Sequence, residues 1–305
     1  MWSLKNALLF ALVAVGVWFI VAWIRFAKTE RASSSGDRPH TLYHSITGFV
    51  ACFFDTLGIG NFATTTSAFK FRGSVADEKI PGTLNVGYAL PTVVQALIYI
   101  SIVDVDIWTL LLLIAASVVG VWLGAGVVSR WPRRNIQVGM GFALLAAATL
   151  MVLSQFHLVP AGGDTLELRG VLLIVGIVGN FALGALMSLG IGLYGPCLIM
   201  ISLLGMNPRA AFPIMMGSCA FLMPIGGMRF IRKGAYDRAA SVIMTLSGIP
   251  AVLIAAYIVR SLPLTYIRWL VVVVVVYAAA MMLRSAMQKQ PDAPGIPAES
   301  ESQPL

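Results

Sequence analysis

The chain has 305 residues, 58% of them hydrophobic and 11% charged, with a mean hydropathy of +0.86. A soluble domain of this length needs far more charge to cover its surface, so an ordinary globular enzyme is excluded. The net charge of +8 does not point to nucleic acid, because Lys and Arg gather in short segments between apolar runs and read as topology signals in a lipid bilayer.

The first apolar run, Ala7 to Ile24, is too long for a typical signal-peptide core and is followed by Arg25, Lys28 and Arg31. It reads as a retained transmembrane helix. A polar linker with Ser33-Ser34-Ser35-Gly36 and Pro39 closes a segment 1–41. Full spans of about 20 residues, the length that crosses a bilayer core, follow at 83–103, 107–129, 136–156, 210–228, 239–259 and 266–283. The tail 285–305, rich in Pro, Ser and Glu, is expected to be disordered.

Two stretches, 42–72 and 170–206, are longer than one helix, and each is interrupted by the same tetrapeptide: Leu57-Gly58-Ile59-Gly60 and Leu189-Gly190-Ile191-Gly192. The offset of 132 persists from Pro81 to Pro213 and is 131 from Pro132 to Pro263 and from Ile136 to Ile267. A maintained offset indicates internal duplication, with repeats at 42–156 and 170–284 joined by an external loop at 157–169. If each interrupted stretch crosses once, the basic residues divide 10 to 11 between the two sides; if each enters and returns, they divide 16 to 5. The positive-inside rule selects the second arrangement. The expected fold is therefore an all-α polytopic membrane protein of two inverted repeats. Each repeat is a broken-helix hairpin plus three transmembrane helices, behind an extra N-terminal helix. Inverted repeats with broken helices are a transporter architecture.

The returning limbs, Phe62 to Arg72 and Pro196 to Met206, have 11 residues each and reach about half the bilayer, so the tips lie near the midplane. Irregular backbone at that depth must be buried in protein or line a cavity. A helix N-terminus there presents unpaired N–H groups and a positive dipole end, which favour an anion. The candidate substrate-binding residues are Gly58, Gly60, Asn61, Thr64 and Thr65 in the first tip, and Ser188, Gly190, Gly192, Tyr194 and Gly195 in the second. Thr66, Asn85, Gln95 and Ser218 are further donors.

Asp55 is the acidic residue well inside an apolar stretch, and its counterpart at the offset is Met187. It reads either as a proton carrier that couples transport or as a residue that supports the helix break. His40, His44 and His157 read as solvated, so neither a metal site nor a cofactor is expected. Cys52, Cys197 and Cys219 form no CxxC pair and read as free thiols; Cys197, beside the proposed site, reads as apolar filler or as a thiol placed to meet a sulfur compound. Ser188 has no histidine at its depth, which removes an intramembrane serine protease. No enzyme activity is expected.

At these residues the chain resembles the TauE/SafE family of sulfite exporters. The resemblance rests on Phe54-Asp55-Thr56-Leu57-Gly58-Ile59-Gly60-Asn61-Phe62, on Gly190-Ile191-Gly192-Leu193-Tyr194-Gly195-Pro196, and on Leu204-Gly205-Met206-Asn207-Pro208-Arg209-Ala210-Ala211. It covers nearly all of 42–284 and implies a multi-pass protein of the bacterial inner membrane that moves sulfite, an organosulfonate or a similar oxyanion outward with proton coupling. Asn61 and Leu193-Tyr194 stand where many members carry a longer glycine run. Two other readings stay open: a cation permease that uses hairpin carbonyls and Asp55, and a membrane scaffold that moves nothing. Homo-oligomers are compatible with every one of these.

Overall fold

The computed structural model describes residues 3–29, 40–128, 163–187 and 193–261, with isolated positions between 138 and 156 and between 266 and 287. The expected spans at 136–156 and 266–283, most of the polar linker, the C-terminal tail and the second tetrapeptide lie outside the continuously described residues.

Among the described residues the protein is helical, with no β-strand. Helix α1, Leu4–Thr29, buries Leu8, Leu12, Phe19 and Trp23 along one face and leaves Phe10, Val17, Trp18 and Ile24 exposed. Apolar residues facing outward are costly in water and favourable against lipid tails. Among the described residues five segments are long and apolar enough to cross a bilayer: Leu4–Phe26, Asp77–Ile102, Gly170–Met187, Pro208–Arg232 and Arg238–Ile258. Together they make the chain a multi-pass membrane protein.

Helix α2, Thr41–Thr56, ends at a break through Asn61, where Gly58 and Gly60 have φ of +97° and +81°. That left-handed backbone is open to glycine at little cost and strains other residues, so these two glycines allow the chain to turn. Helix α3, Phe62–Arg72, then runs back along α2. The Tyr43 hydroxyl near the start of α2 donates to the Ala68 carbonyl at 2.6 Å, and the Arg72 guanidinium lies 5.0 Å from the Tyr43 ring centroid. The chain therefore enters and leaves this hairpin at the same end.

A 3₁₀ turn, Asp77–Lys79, leads into α4, Ile80–Gly87, and α5, Ala89–Ile102. The span expected at 83–103 lies within the segment Asp77–Ile102, with a local interruption of helical bonding at Tyr88. Pro91 is the cause: it has no N–H to give the Gly87 carbonyl, and its ring crowds that oxygen. The freed carbonyl instead accepts the Thr245 hydroxyl at 2.7 Å. Helix α6, Ile107–Val128, is capped by Asp106, whose carboxylate accepts the Thr109 N–H at 2.8 Å.

Helix α7, Gly170–Met187, and helix α8, Tyr194–Leu203, form the described limbs of the second interrupted stretch. The returning limb begins two residues before the expected Pro196, because Tyr194 and Gly195 already have helical backbone. Helices α9, Pro208–Arg232, and α10, Arg238–Ser261, complete the order.

The two stretches match in geometry as well as in letters. Both α3 and α8 end in a left-handed glycine, Gly73 and Gly205, and the next N–H reaches back to the carbonyl five residues earlier: Ser74 to Phe69 at 3.2 Å and Met206 to Ile201 at 3.2 Å. This is the Schellman closure of a helix, repeated at an offset of 132.

The halves interlock, with α2 packed on α10 and α7 packed on α6, while α9 lies against α5 at the centre. At one end of the bundle, Trp23 Nε1 donates to the Tyr236 hydroxyl at 3.3 Å and the Asp237 N–H to the Thr83 hydroxyl at 2.8 Å. At the other end, the Asp106 N–H donates to the Leu166 carbonyl and the Asn207 N–H to the Thr165 carbonyl, both at 2.9 Å. The first hairpin opens toward the former end and the second toward the latter.

Candidate functional site

Where the two hairpins approach one another they enclose a small cavity, about 30 Å³, lined by Asp55, Gly60, Asn61, Phe62, Thr92, Met187, Leu193, Tyr194, Cys219 and Met223. Six of these residues form three pairs at the duplication offset: Asp55 with Met187, Asn61 with Leu193, and Phe62 with Tyr194. The cavity therefore lies between positions related by the sequence offset of 132. In every pair one member is polar and the other apolar, so the two stretches line it unequally.

Asp55 is 2% exposed and sits in the last turn of α2. Its Oδ2 accepts the Gln95 Nε2–H at 2.9 Å. Asp55 and Asn61 flank the glycine break and both line the cavity. Gln95, fully buried on α5, gives its other amide hydrogen to the Thr56 hydroxyl at 2.9 Å. The Thr56 hydroxyl donates onward to the Cys52 carbonyl at 2.7 Å. The Gln95 Oε1 accepts the Tyr194 hydroxyl from α8 at 3.1 Å. One amide thus joins the long limb of the first hairpin to the short limb of the second. Around it the Tyr99 hydroxyl donates to the Thr56 carbonyl at 3.0 Å.

Of the residues singled out from sequence, Asp55, Gly60, Asn61 and Tyr194 come together at this cavity. Gly58 shapes the break, and a methyl built there would meet Met215, Leu198 and Phe212 at ordinary contact distance, so its requirement is conformational. Thr65 is buried against the Tyr88 hydroxyl at 2.6 Å, and Thr64 donates to the Asn61 carbonyl at 3.0 Å; neither lines the cavity. Gly195 is buried within α8. Ser188, Gly190 and Gly192 lie outside the described residues. Asn85 donates to the Pro81 carbonyl at 2.9 Å, and Ser218 accepts from Asn180 at 3.3 Å.

The three cysteines are free and buried, and Cys219 lies 3.7 Å from the Met187 sulfur. His44 departs from expectation: it is 2% exposed rather than solvated, because its position on α2 turns it against Phe69, with ring centroids 5.4 Å apart. His157 lies outside the described residues. Among the described residues no group of three His, Cys, Asp or Glu side chains could hold a metal ion.

Residues 2–151 and 171–304 match the family described as Sulfite exporter TauE/SafE. The chain belongs to this family. The two matched segments take in both hairpins and leave out residues 152–170, which include the loop between the repeats. Searches of curated proteins and of solved structures gave no match. Membership in the TauE/SafE family makes the protein a membrane transporter of the sulfite-exporter kind.

Proposed function

We propose that this TauE/SafE protein is a secondary transporter that exports sulfite, an organosulfonate or a similar small sulfur oxyanion, built as two inverted repeats in a bacterial inner membrane. The observation that carries the reading is the paired lining of the cavity. Equivalent residues of two hairpins that open toward opposite ends converge on one buried site, which is what access from alternate sides of a membrane requires.

The lining suits a weakly held anion. Among the described residues no Lys or Arg lines the cavity; the donors are the Tyr194 and Thr92 hydroxyls and the Asn61 amide. Neutral donors hold an anion loosely enough to release it on the far side. The cavity of about 30 Å³ is smaller than a sulfur oxyanion, so binding one requires the hairpin tips to move apart. Asp55 is the proton-coupling group. As a carboxylate facing the anion site it repels substrate, and taking up a proton removes that repulsion.

The test is flux in proteoliposomes holding the purified protein. Saturable movement of radiolabelled sulfite that responds to an imposed pH gradient is expected, with taurine, thiosulfate and sulfate as competitors. Asp55→Asn is expected to keep some flux and to lose its dependence on the gradient. Flux that follows the cation and ignores the oxyanion would replace this reading with a cation permease, and absence of flux for every solute would leave a scaffold.

A further inference from the structure

Gln95 has a position that the transport reading does not by itself explain. It belongs to neither hairpin, yet its amide contacts both, and all of its observed bonds depend on which way that amide faces. An ionised carboxylate only accepts hydrogen bonds, so Nε2 must face Asp55 and Oε1 must face Tyr194. With Oε1 at 3.1 Å as acceptor, the Tyr194 hydroxyl hydrogen is directed at Gln95 and away from the cavity.

Protonation of Asp55 changes this. The carboxyl then carries a hydrogen to donate and has less capacity to accept, while the Gln95 N–H still points at it. The Gln95 amide can turn by half a rotation about its last torsion. After that rotation Oε1 accepts from Asp55 and from the Thr56 hydroxyl, whose hydrogen swings away from the Cys52 carbonyl. Nε2 then donates to the Tyr194 oxygen, and the Tyr194 hydrogen is free to turn into the cavity that this residue lines.

We propose that Gln95 is the positioning residue that couples Asp55 to anion binding, its amide turning over when Asp55 gains a proton and so redirecting the Tyr194 hydroxyl from Gln95 to the substrate anion. The inference rests on the transport reading above. One proton is taken from water in the cavity and stays on Asp55; none passes through Gln95, and Tyr194 remains a neutral phenol throughout. The titratable groups around Asp55 are Cys52 on its own helix, Tyr88 and Tyr99 at α4 and α5, Tyr194 on α8 and Cys219 on α9. Helix α10 has no titratable side chain between Arg238 and Tyr257, and α7 has none at all. No cationic group among the described residues competes for the carboxylate.

The relay makes a reciprocal prediction, since two linked sites must shift one another equally. In the purified, substrate-free protein, infrared difference spectra across a pH titration are expected to show a protonated carboxyl band that Asp55→Asn removes. Tyr194→Phe and Gln95→Met are each expected to move the midpoint of that band. Neither variant adds a charge, and Phe keeps the ring of Tyr194, so a merely structural role for that hydroxyl predicts no movement in Tyr194→Phe. In proteoliposomes the apparent sulfite affinity of the wild type is expected to rise about tenfold on acidification, a typical coupling, and that rise is expected to vanish in Gln95→Met.

An unchanged carboxyl midpoint in Tyr194→Phe would overturn the relay even if sulfite is transported. Gln95→Met with the full pH dependence of affinity would overturn it in favour of Asp55 acting on the anion directly. Loss of all flux in the wild type would count against the transport reading, and the infrared titration would still decide whether Asp55 and Tyr194 are linked.

Discussion

The Thr65 and Tyr88 hydroxyls satisfy one another at 2.6 Å, and both side chains are fully buried. Removing one partner strands the other in an apolar interior, which costs about 1–3 kcal/mol, whereas removing both leaves nothing unpaired. Thr65→Val is therefore expected to lower the thermal stability of the purified protein in detergent, and adding Tyr88→Phe is expected to restore most of it; a double variant less stable than the single would contradict this. The same pair shows where reading side chains from sequence stops. Thr64, Thr65 and Thr66 stand together as a run of donors, but helical geometry turns Thr65 inward to Tyr88 and bends Thr64 back to the Asn61 carbonyl, so the run supplies little to the cavity. Asp55, Asn61 and Tyr194 were legible because each sits at a glycine break. Met187, Leu193 and Phe62 carried the same signal through the offset of 132. The bridging role of Gln95 was not legible, because it depends on two hairpins meeting across α5 and no local pattern records that.

At the scale of elements, glycine sets how closely α6 and α7 approach. A methyl group on Gly184 would strike the Ser117 carbonyl of α6, and one on Gly120 would strike the Phe181 carbonyl of α7. Small residues that let backbones touch are the main source of helix association in lipid, where the hydrophobic effect gives no preference. Gly184→Val is expected to push the two helices apart and destabilise the protein by about 1–3 kcal/mol, the usual cost of overpacking. Unfolding in detergent would measure this, and a variant as stable as the parent would mean that the seam is slack. Helix ends were easier to place than helix breaks. The limits expected at 107–129 and 239–259 agree closely with α6 and α10, because Asp106 and the turn before Arg238 mark their starts. The local irregularity at Tyr88 had no signal of its own in the sequence, because Pro91 acts on a carbonyl four residues earlier and membrane helices tolerate proline.

Across the molecule, the direction of each hairpin and the distribution of charge among the described residues both bear on topology. Arg25, Lys70, Arg72, Lys79, Arg229, Arg232, Lys233 and Arg238 lie toward the end at which the first hairpin opens, against Lys5, Arg169 and Arg209 toward the other. Asp104, Asp106, Asp164 and Glu167 accompany the latter three, and Glu167 pairs with Arg169 at 2.8 Å. By the positive-inside rule the first hairpin is expected to open to the cytoplasm and the second to the opposite side, which is the inverted arrangement proposed above. Accessibility tags placed after Arg38 and beside Lys79 are then expected to report the cytoplasm, and a tag beside Asp164 the opposite face. If Arg38 and Lys79 report different sides, the first interrupted stretch crosses the bilayer and the repeats are parallel. The hairpin tips would then lose their reason for facing one another. Because the cavity lining pairs Asp55 with Met187 and Phe62 with Tyr194 across the repeats, the same tags decide whether alternating exposure of that cavity is geometrically available to this chain.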